Sequence, residues 1–178
     1  MEEYPGIRIS VNVSDNLSGW LEKDRADIIF ADSTACGENE WYHMMEEEYL
    51  AVVPVSMKME KETICRSEIY HYPYIDTDEA ILNNYFKMTD FHERICFHSE
   101  DDLSVIRMVQ AGIGITVLPK LVLNIKEENI QFVRLDPPCV RKLGFACRRE
   151  RRNSQVLDLF IDFVRMSSFV HECQVAQR

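Results

Sequence analysis

Ser99 opens the stretch of this chain best equipped for chemistry, SEDDLSVIRMVQAGIGITVLP, Ser99 to Pro119. A serine at that place is a helix N-cap, and Asp102 three residues on completes a capping-box pattern. Glu100, Asp101 and Asp102 put negative charge into the first turn, where the helix dipole favours it. The unpaired amides at the start of such a helix can hold an anion, which makes Ser99 a candidate ligand contact. On the cap alone, the plainer reading is that Ser99 only closes a helix end. A second candidate group follows the apolar run ADIIFA, Ala26 to Ala31. In open α/β sheets ligands bind beyond the carboxyl ends of strands, so Asp32 and Ser33, with Thr34, stand where a ligand is expected. His92, Cys96 and His98 share one face of a predicted strand and are metal-ligand types, but they lack a fourth ligand. Strand His and Cys residues of this kind are more often packing residues, and no metal is expected. The nucleophile elbow G-x-S-x-G, H-E-x-x-H and a Walker loop are all missing from the sequence, so catalysis is not expected.

The elements that must position these groups alternate along the chain. Ile7, Ile9, Val11 and Val13 alternate with Arg8, Ser10 and Asn12, which predicts a half-buried strand over Ile7–Val13. Ser14, Asp15 and Asn16 offer caps for a short helix carrying Leu17, Trp20 and Leu21. Ala26–Ala31 reads as a central parallel strand, and Tyr49–Val53 as another that ends at Pro54. The acidic run Glu46-Glu47-Glu48 reads as a solvated loop before it. Tyr74–Ile75 is a short strand, Glu79–Lys87 a helix, and His92–His98 a strand. Leu103, Ile106 and Val109 recur at helical spacing, Gly112 stops that helix, and Ile113–Leu118 is a buried strand. Lys120–Ile125 reads as a short helix, Ile130–Leu135 and Leu143–Cys147 as strands, and Ser154–Met166 as a last helix with a wide apolar face.

Composition bounds the rest. The chain has 178 residues, 46% of them hydrophobic, enough for a sizeable core. No apolar run is long enough to span a membrane, and MEEYPG is not a signal peptide. Six cysteines without a C-x-x-C pair read as reduced thiols of a cytoplasmic protein. The methionines and Trp20 and Trp41 read as core or interface residues. The net charge of −10 sets the chain against nucleic acid. Its one basic cluster, Arg148–Arg152, is broken by Glu150 and reads as a solvated turn.

The order of these pieces resembles a known family. YPGIRISV, a short helix, RADIIFA, an apolar strand ending at Pro54, YPYID, and the run from Ser99 through Val109-Gln110-Ala111-Gly112-Ile113-Gly114-Ile115 to Leu118-Pro119 together look like the effector-binding domain of LysR-type transcriptional regulators. The resemblance covers nearly the whole chain. It implies an α/β fold of the type II periplasmic-binding-protein kind, in which two α/β subdomains are joined by two crossing segments around a small-molecule cleft. Crossings near Pro54 and Asp136–Pro138 give subdomain I as residues 1–54 plus 138–178, and subdomain II as residues 55–137. The implied ligand contacts are Ser99, Thr77, Asp32, Ser33, Ser14 and Asn16, with Thr77 where family members place a polar contact. Family effectors are often small organic acids. Asp32, Asp76 and Asp78 near the cleft, with no Arg or Lys among the candidates, leave a zwitterion, an amine or a neutral polar ligand equally open. No cofactor is expected.

Two parts of the family pattern are not found ahead of Tyr4, namely the winged helix-turn-helix with its linker helix and the domain's opening strand and helix. DNA is therefore expected to be reached only through a separate N-terminal domain. The Ile7–Val13 strand is expected to find a neighbour by forming a homodimer or by a rearrangement that fills the gap. A solute-binding protein of the same fold and a small α/β enzyme remain the alternative readings.

Overall fold

The computed structural model describes residues 6–14, 16–87, 94–123, 128–148 and 154–166. The chain forms two compact units, one of residues 1–46 with 142–178 and one of residues 47–141. The passages between them lie inside strands. β2 (Glu40–Pro54) and β8 (Val140–Cys147) each run from one unit into the other. Pro54 only ends β2, and Asp136-Pro137-Pro138 lies between β7 (Ile130–Asp136) and β8.

The first unit is built on β1 (Ile29–Asp32), β8 and the first part of β2, in that order across the sheet. Alternation sorts its side chains onto two faces. Ile29 and Ala146 pack with Leu21 of α1 (Leu17–Glu22) and with Cys36. Phe145 and Cys147 pack with Leu157, Ile161 and Val164 of α5 (Gln155–Met166), the predicted last helix. Gly144 is required where β8 passes β2, because a Cβ there would lie 2.2 Å from the Tyr42 carbonyl oxygen.

Two readings of this unit are corrected. Ala26–Ala31 is not a central parallel strand, since β1 begins at Ile29 and pairs antiparallel with β8 at the end of the sheet. An apolar run reports burial on both faces, and direction depends on a partner far away in sequence. Ile7–Val13 forms no strand. It has no sheet partner among the described residues, and Ile9, Val11 and Val13 are 60%, 85% and 94% exposed. Alternation says which side chains a strand would bury but cannot supply its neighbour.

The second unit centres on the rest of β2, which pairs antiparallel with β6 (Thr116–Pro119) on one side and β7 on the other. β3 (Thr63–Cys65) joins β7 in parallel and leads into α2 (Arg66–Ile69). β4 (Tyr74–Asp76) and β5 (Ile95–His98) form a parallel pair, joined by α3 (Ala80–Tyr85) and the segment after it. α4 (Asp102–Gln110) buries Val105, Ile106 and Val109 against Val52, Ile75 and Leu118. Gly112 follows it at φ 75, the left-handed conformation that a helix stop favours. β6 is buried throughout, as its apolar sequence requires. Lys120–Leu123 is a turn, not a helix, and residues 124–127 lie outside those described. No helix among the described residues is long and apolar enough to cross a membrane.

The acidic run is the plainest error of the sequence reading. Glu46, Glu47 and Glu48 are not in a loop but in the middle of β2, and Glu47 is 1% exposed. Met45, Glu47, Tyr49, Ala51 and Val53 occupy alternate positions and are all buried. Period-two spacing from the apolar half of the strand was the signal that placed Glu47 inside.

Candidate functional site

In the second unit, β4 and β5 end side by side. Asp76 stands opposite His98, and the Ser99 amide donates to the Asp76 carbonyl at 3.0 Å. Thr77 and Ser99 are therefore the next residues beyond two adjacent parallel strand ends, and α4 begins three residues after Ser99. Thr77 is 8% exposed, and its buried hydroxyl oxygen has no hydrogen-bond partner among the described residues. A buried hydroxyl left unpaired costs on the order of 1–3 kcal/mol. Thr116, by contrast, donates its buried hydroxyl to the Ile75 carbonyl at 2.8 Å.

Ser99 does not cap the helix as expected. Asp101 is the N-cap, and its carboxylate accepts from the Ser104 amide at 2.9 Å. The Ser104 hydroxyl, then its amide, hold the Asp101 carboxyl below its usual range. Ser99 instead accepts from the Asp101 amide at 3.2 Å, one step earlier. Both are good caps, and the aspartate reaches the deeper donor. The amides of Asp102 and Leu103, in the first turn, have no intrahelical acceptor.

Around this end of α4 the charge is mostly negative. Asp78, His98 and Glu100 bring one ligand atom each within 4.8 Å of one another, all exposed. The His98 Nδ1 lies 3.3 Å from Asp76 Oδ2. Of the residues considered for a metal from sequence, His92 lies outside the described residues, and the Cys96 thiol donates to the Tyr74 carbonyl at 3.2 Å.

A charged cluster that sequence reasoning missed lies in the same unit. Glu47 accepts from Arg141 Nε at 2.7 Å and from the Leu121 amide at 2.8 Å. Arg141 Nη1 lies 3.6 Å from Glu79, which also accepts from the Tyr49 hydroxyl. The guanidinium sits 5.3 Å from the centre of the Tyr49 ring. Burial, then the hydrogen bond to Glu79, pushes the Tyr49 hydroxyl above its ordinary range. Asp102 faces this cluster. Burial, then the neighbouring Asp101 charge, raises its carboxyl, with Arg141 acting against them and Glu47 adding to them.

In the first unit Asp32, Ser14 and Asn16 are committed to local turns and caps, and Ser33 to a bond across the sheet. Asp32 ends β1 and accepts from the Thr34 amide at 2.7 Å. The Ser33 amide donates to the Lys142 carbonyl at 3.1 Å. Ser14 accepts from the Asn16 amide at 3.2 Å, and Asn16 caps α1 by accepting from the Gly19 amide at 3.0 Å. Within each unit the structure thus brings together Thr77 with Ser99, Asp32 with Ser33, and Ser14 with Asn16.

Comparison with known proteins identifies the family and the fold. Residues 1–168 match the family model described as LysR substrate binding domain. An uncharacterized HTH-type transcriptional regulator, YybE of Bacillus subtilis (strain 168), is 26% identical over 175 residues, which is 92% of this chain and 59% of that protein. HinK, a LysR family transcriptional regulator from Pseudomonas aeruginosa, superposes with a TM-score of 0.75 at 23% identity, over 92% of this chain and 62% of that one. The Synechocystis PCC6803 CcmR regulatory domain in complex with 2-PG gives a TM-score of 0.75 at 16% identity, over 92% and 84% of the two chains. The fold is of the type II periplasmic-binding-protein kind that these regulatory domains share.

Proposed function

The chain belongs to the LysR substrate-binding-domain family, and from that premise we propose that it senses a small polar molecule at the strand ends carrying Thr77 and Ser99. One observation carries the reading. The Thr77 hydroxyl is buried with no hydrogen-bond partner among the described residues, at a strand end beside the one that leads through Ser99 into α4, whose first-turn amides have no acceptor within the helix. A ligand carrying both an acceptor and a donor suits the surroundings. The acceptor meets the amides and the hydroxyls of Thr77 and Ser99, and the donor meets Asp76, Asp78 or Glu100. That favours a zwitterion, a hydroxylated molecule or an amine over a plain dicarboxylate. The CcmR regulatory domain holds 2-PG, which supports a small-molecule role for the fold. Asp32, Ser14 and Asn16 already give oxygens to local amides, so with Ser33 they carry less of the proposal.

The family consists of regulator domains, and no catalytic step is proposed. The chain spans 59% of the length of its curated relative. In the proposed whole protein, a separate N-terminal domain binds DNA in the cytoplasm. Ligand binding here shifts the population of states that this domain reports, and the working unit is a homodimer.

The test is a thermal-shift screen of amino acids, amines and hydroxy acids, with each hit measured by calorimetry on Ser99→Ala and Thr77→Val. Both variants are expected to keep their circular dichroism and to bind at least tenfold more weakly. Unchanged affinity in both places the ligand elsewhere.

A further inference from the structure

Two opposite charges stand side by side in the second unit, and each is held from behind. Arg141 donates from Nε to Glu47, whose side chain is 1% exposed. The hydroxyl of Tyr49, a fully buried residue, donates to Glu79 Oε2. Arg141 and Glu79 themselves keep 23% and 27% of their side-chain surface open. Their charged ends lie 3.6 Å apart, from Nη1 to the same Oε2, too far for a hydrogen bond. Among the described residues, the two terminal guanidinium nitrogens therefore make no hydrogen bond, and Glu79 Oε1 accepts none. Glu79 takes the N-cap position of α3 without capping it, which leaves its carboxylate to this pair.

A buried ion pair adds little net stability, so stability alone does not account for Glu47 beneath Arg141. What the pair accomplishes is to fix the direction of the guanidinium fork. An arginine with free terminal N–H groups recognises a carboxylate through two parallel hydrogen bonds. A carboxylate alone is poorly matched here, because Glu47 and Glu79 already outnumber the one arginine, and Asp102 faces Arg141 and Glu47. A ligand that carries a cation next to its carboxylate escapes that repulsion, and Glu79 Oε1 is the acceptor for it. In an α-amino acid the two charged groups share one carbon, which matches two protein charges this close together. The pair also adjoins the strand ends, since Glu79 stands two residues beyond Thr77, within about 7 Å along the backbone.

We infer that Arg141 and Glu79 form the specificity subsite of the strand-end site, the guanidinium taking the carboxylate and Glu79 the ammonium group of an α-amino acid. Glu47 and Tyr49 act behind them as positioning residues. The inference rests on the ligand reading for the place of the site and narrows its ligand to a zwitterion. Arg141 comes from β8, far along the chain from Thr77 and Ser99, so no local pattern in the sequence reveals it.

Calorimetry on the whole chain tests it, with the protein amino acids screened first by thermal shift. Each amino acid that binds is compared with its carboxamide, which lacks the anion, and with its N-acetyl form, which lacks the cation. Both derivatives are expected to bind roughly tenfold or more weakly than the parent. Glu79→Gln keeps an acceptor for Tyr49, and Arg141→Lys keeps a donor for Glu47, so both variants are expected to retain their circular dichroism. Glu79→Gln is expected to weaken the free amino acid roughly tenfold or more while hardly changing its N-acetyl form, and Arg141→Lys to do so while hardly changing the carboxamide. General damage to the fold weakens parent and derivative alike, and that pattern overturns the subsite. Amino acids that bind but respond only to Thr77→Val and Ser99→Ala also overturn it, while the strand-end site stands. If no amino acid binds, the subsite is overturned, and amines or hydroxy acids that bind and respond to Thr77→Val keep the wider reading.

Discussion

Glu47 and Thr77 are both polar and both buried, yet they stand in opposite states. Glu47 has each carboxylate oxygen engaged, by Arg141 and by the Leu121 amide, whereas the Thr77 hydroxyl has no partner among the described residues. A buried ion pair adds little net stability as a pair, but removing one member strands the other charge. Arg141→Met is therefore expected to cost about 3–5 kcal/mol in urea denaturation. Glu47→Gln keeps an acceptor for the Leu121 amide and leaves Arg141 close to Glu79, so it is expected to cost clearly less. Equal losses in the two variants would show that the pair does not work this way. From sequence, a helix start near Ser99 and a strand end before Thr77 were legible because both have local signatures, although the cap itself is Asp101. The Glu47–Arg141 pair was not, because its members are far apart in the chain and meet only through strand pairing.

Among the elements, α4 and β6 were the best read. Helical spacing, a glycine stop and a buried run agree there, and every cue is local. The strand begins at Thr116, not at Ile113, which is exposed, and the cap was misplaced by two residues, from Ser99 to Asp101. That displacement has a measurable sign. The Asp101 carboxyl titrates below its ordinary value in the folded state. Its contribution is therefore fully present above the unfolded value and fades as pH falls through the lower folded one. Asp101→Ala is expected to lower the melting temperature at neutral pH. The gap from the unmutated protein should narrow steadily once the pH drops below the usual carboxylate range. A gap that holds constant down to acid would assign the loss to helix propensity instead of the cap. β1 and Ile7–Val13 were read worst for one shared reason. Strand identity is local, but order, direction and neighbour are not.

For the whole molecule, the order of weak pieces was more informative than any one of them, and the match over residues 1–168 bears that order out. The two passages between units were expected at prolines and found inside β2 and β8. A proline marks where a strand stops, not where a compact unit does. Net charge also acts at this scale. With −10 on 178 residues, the chain is expected to give no sequence-specific shift of duplex DNA in a low-salt gel assay at micromolar protein. A defined shifted band competed only by its own sequence would contradict that.

The discontinuous make-up of the first unit sets a timetable for synthesis. Ile29 pairs with Ala146, so β1 waits for a partner made roughly a hundred residues later. The second unit, an unbroken stretch from Glu47 to Arg141, is complete before that partner leaves the ribosome. At about 5–20 residues per second, β1 stays without its β8 partner for on the order of ten seconds, the time in which the second unit is itself being made. Every nascent copy passes through that interval, and polysomes hold several copies close together while it lasts.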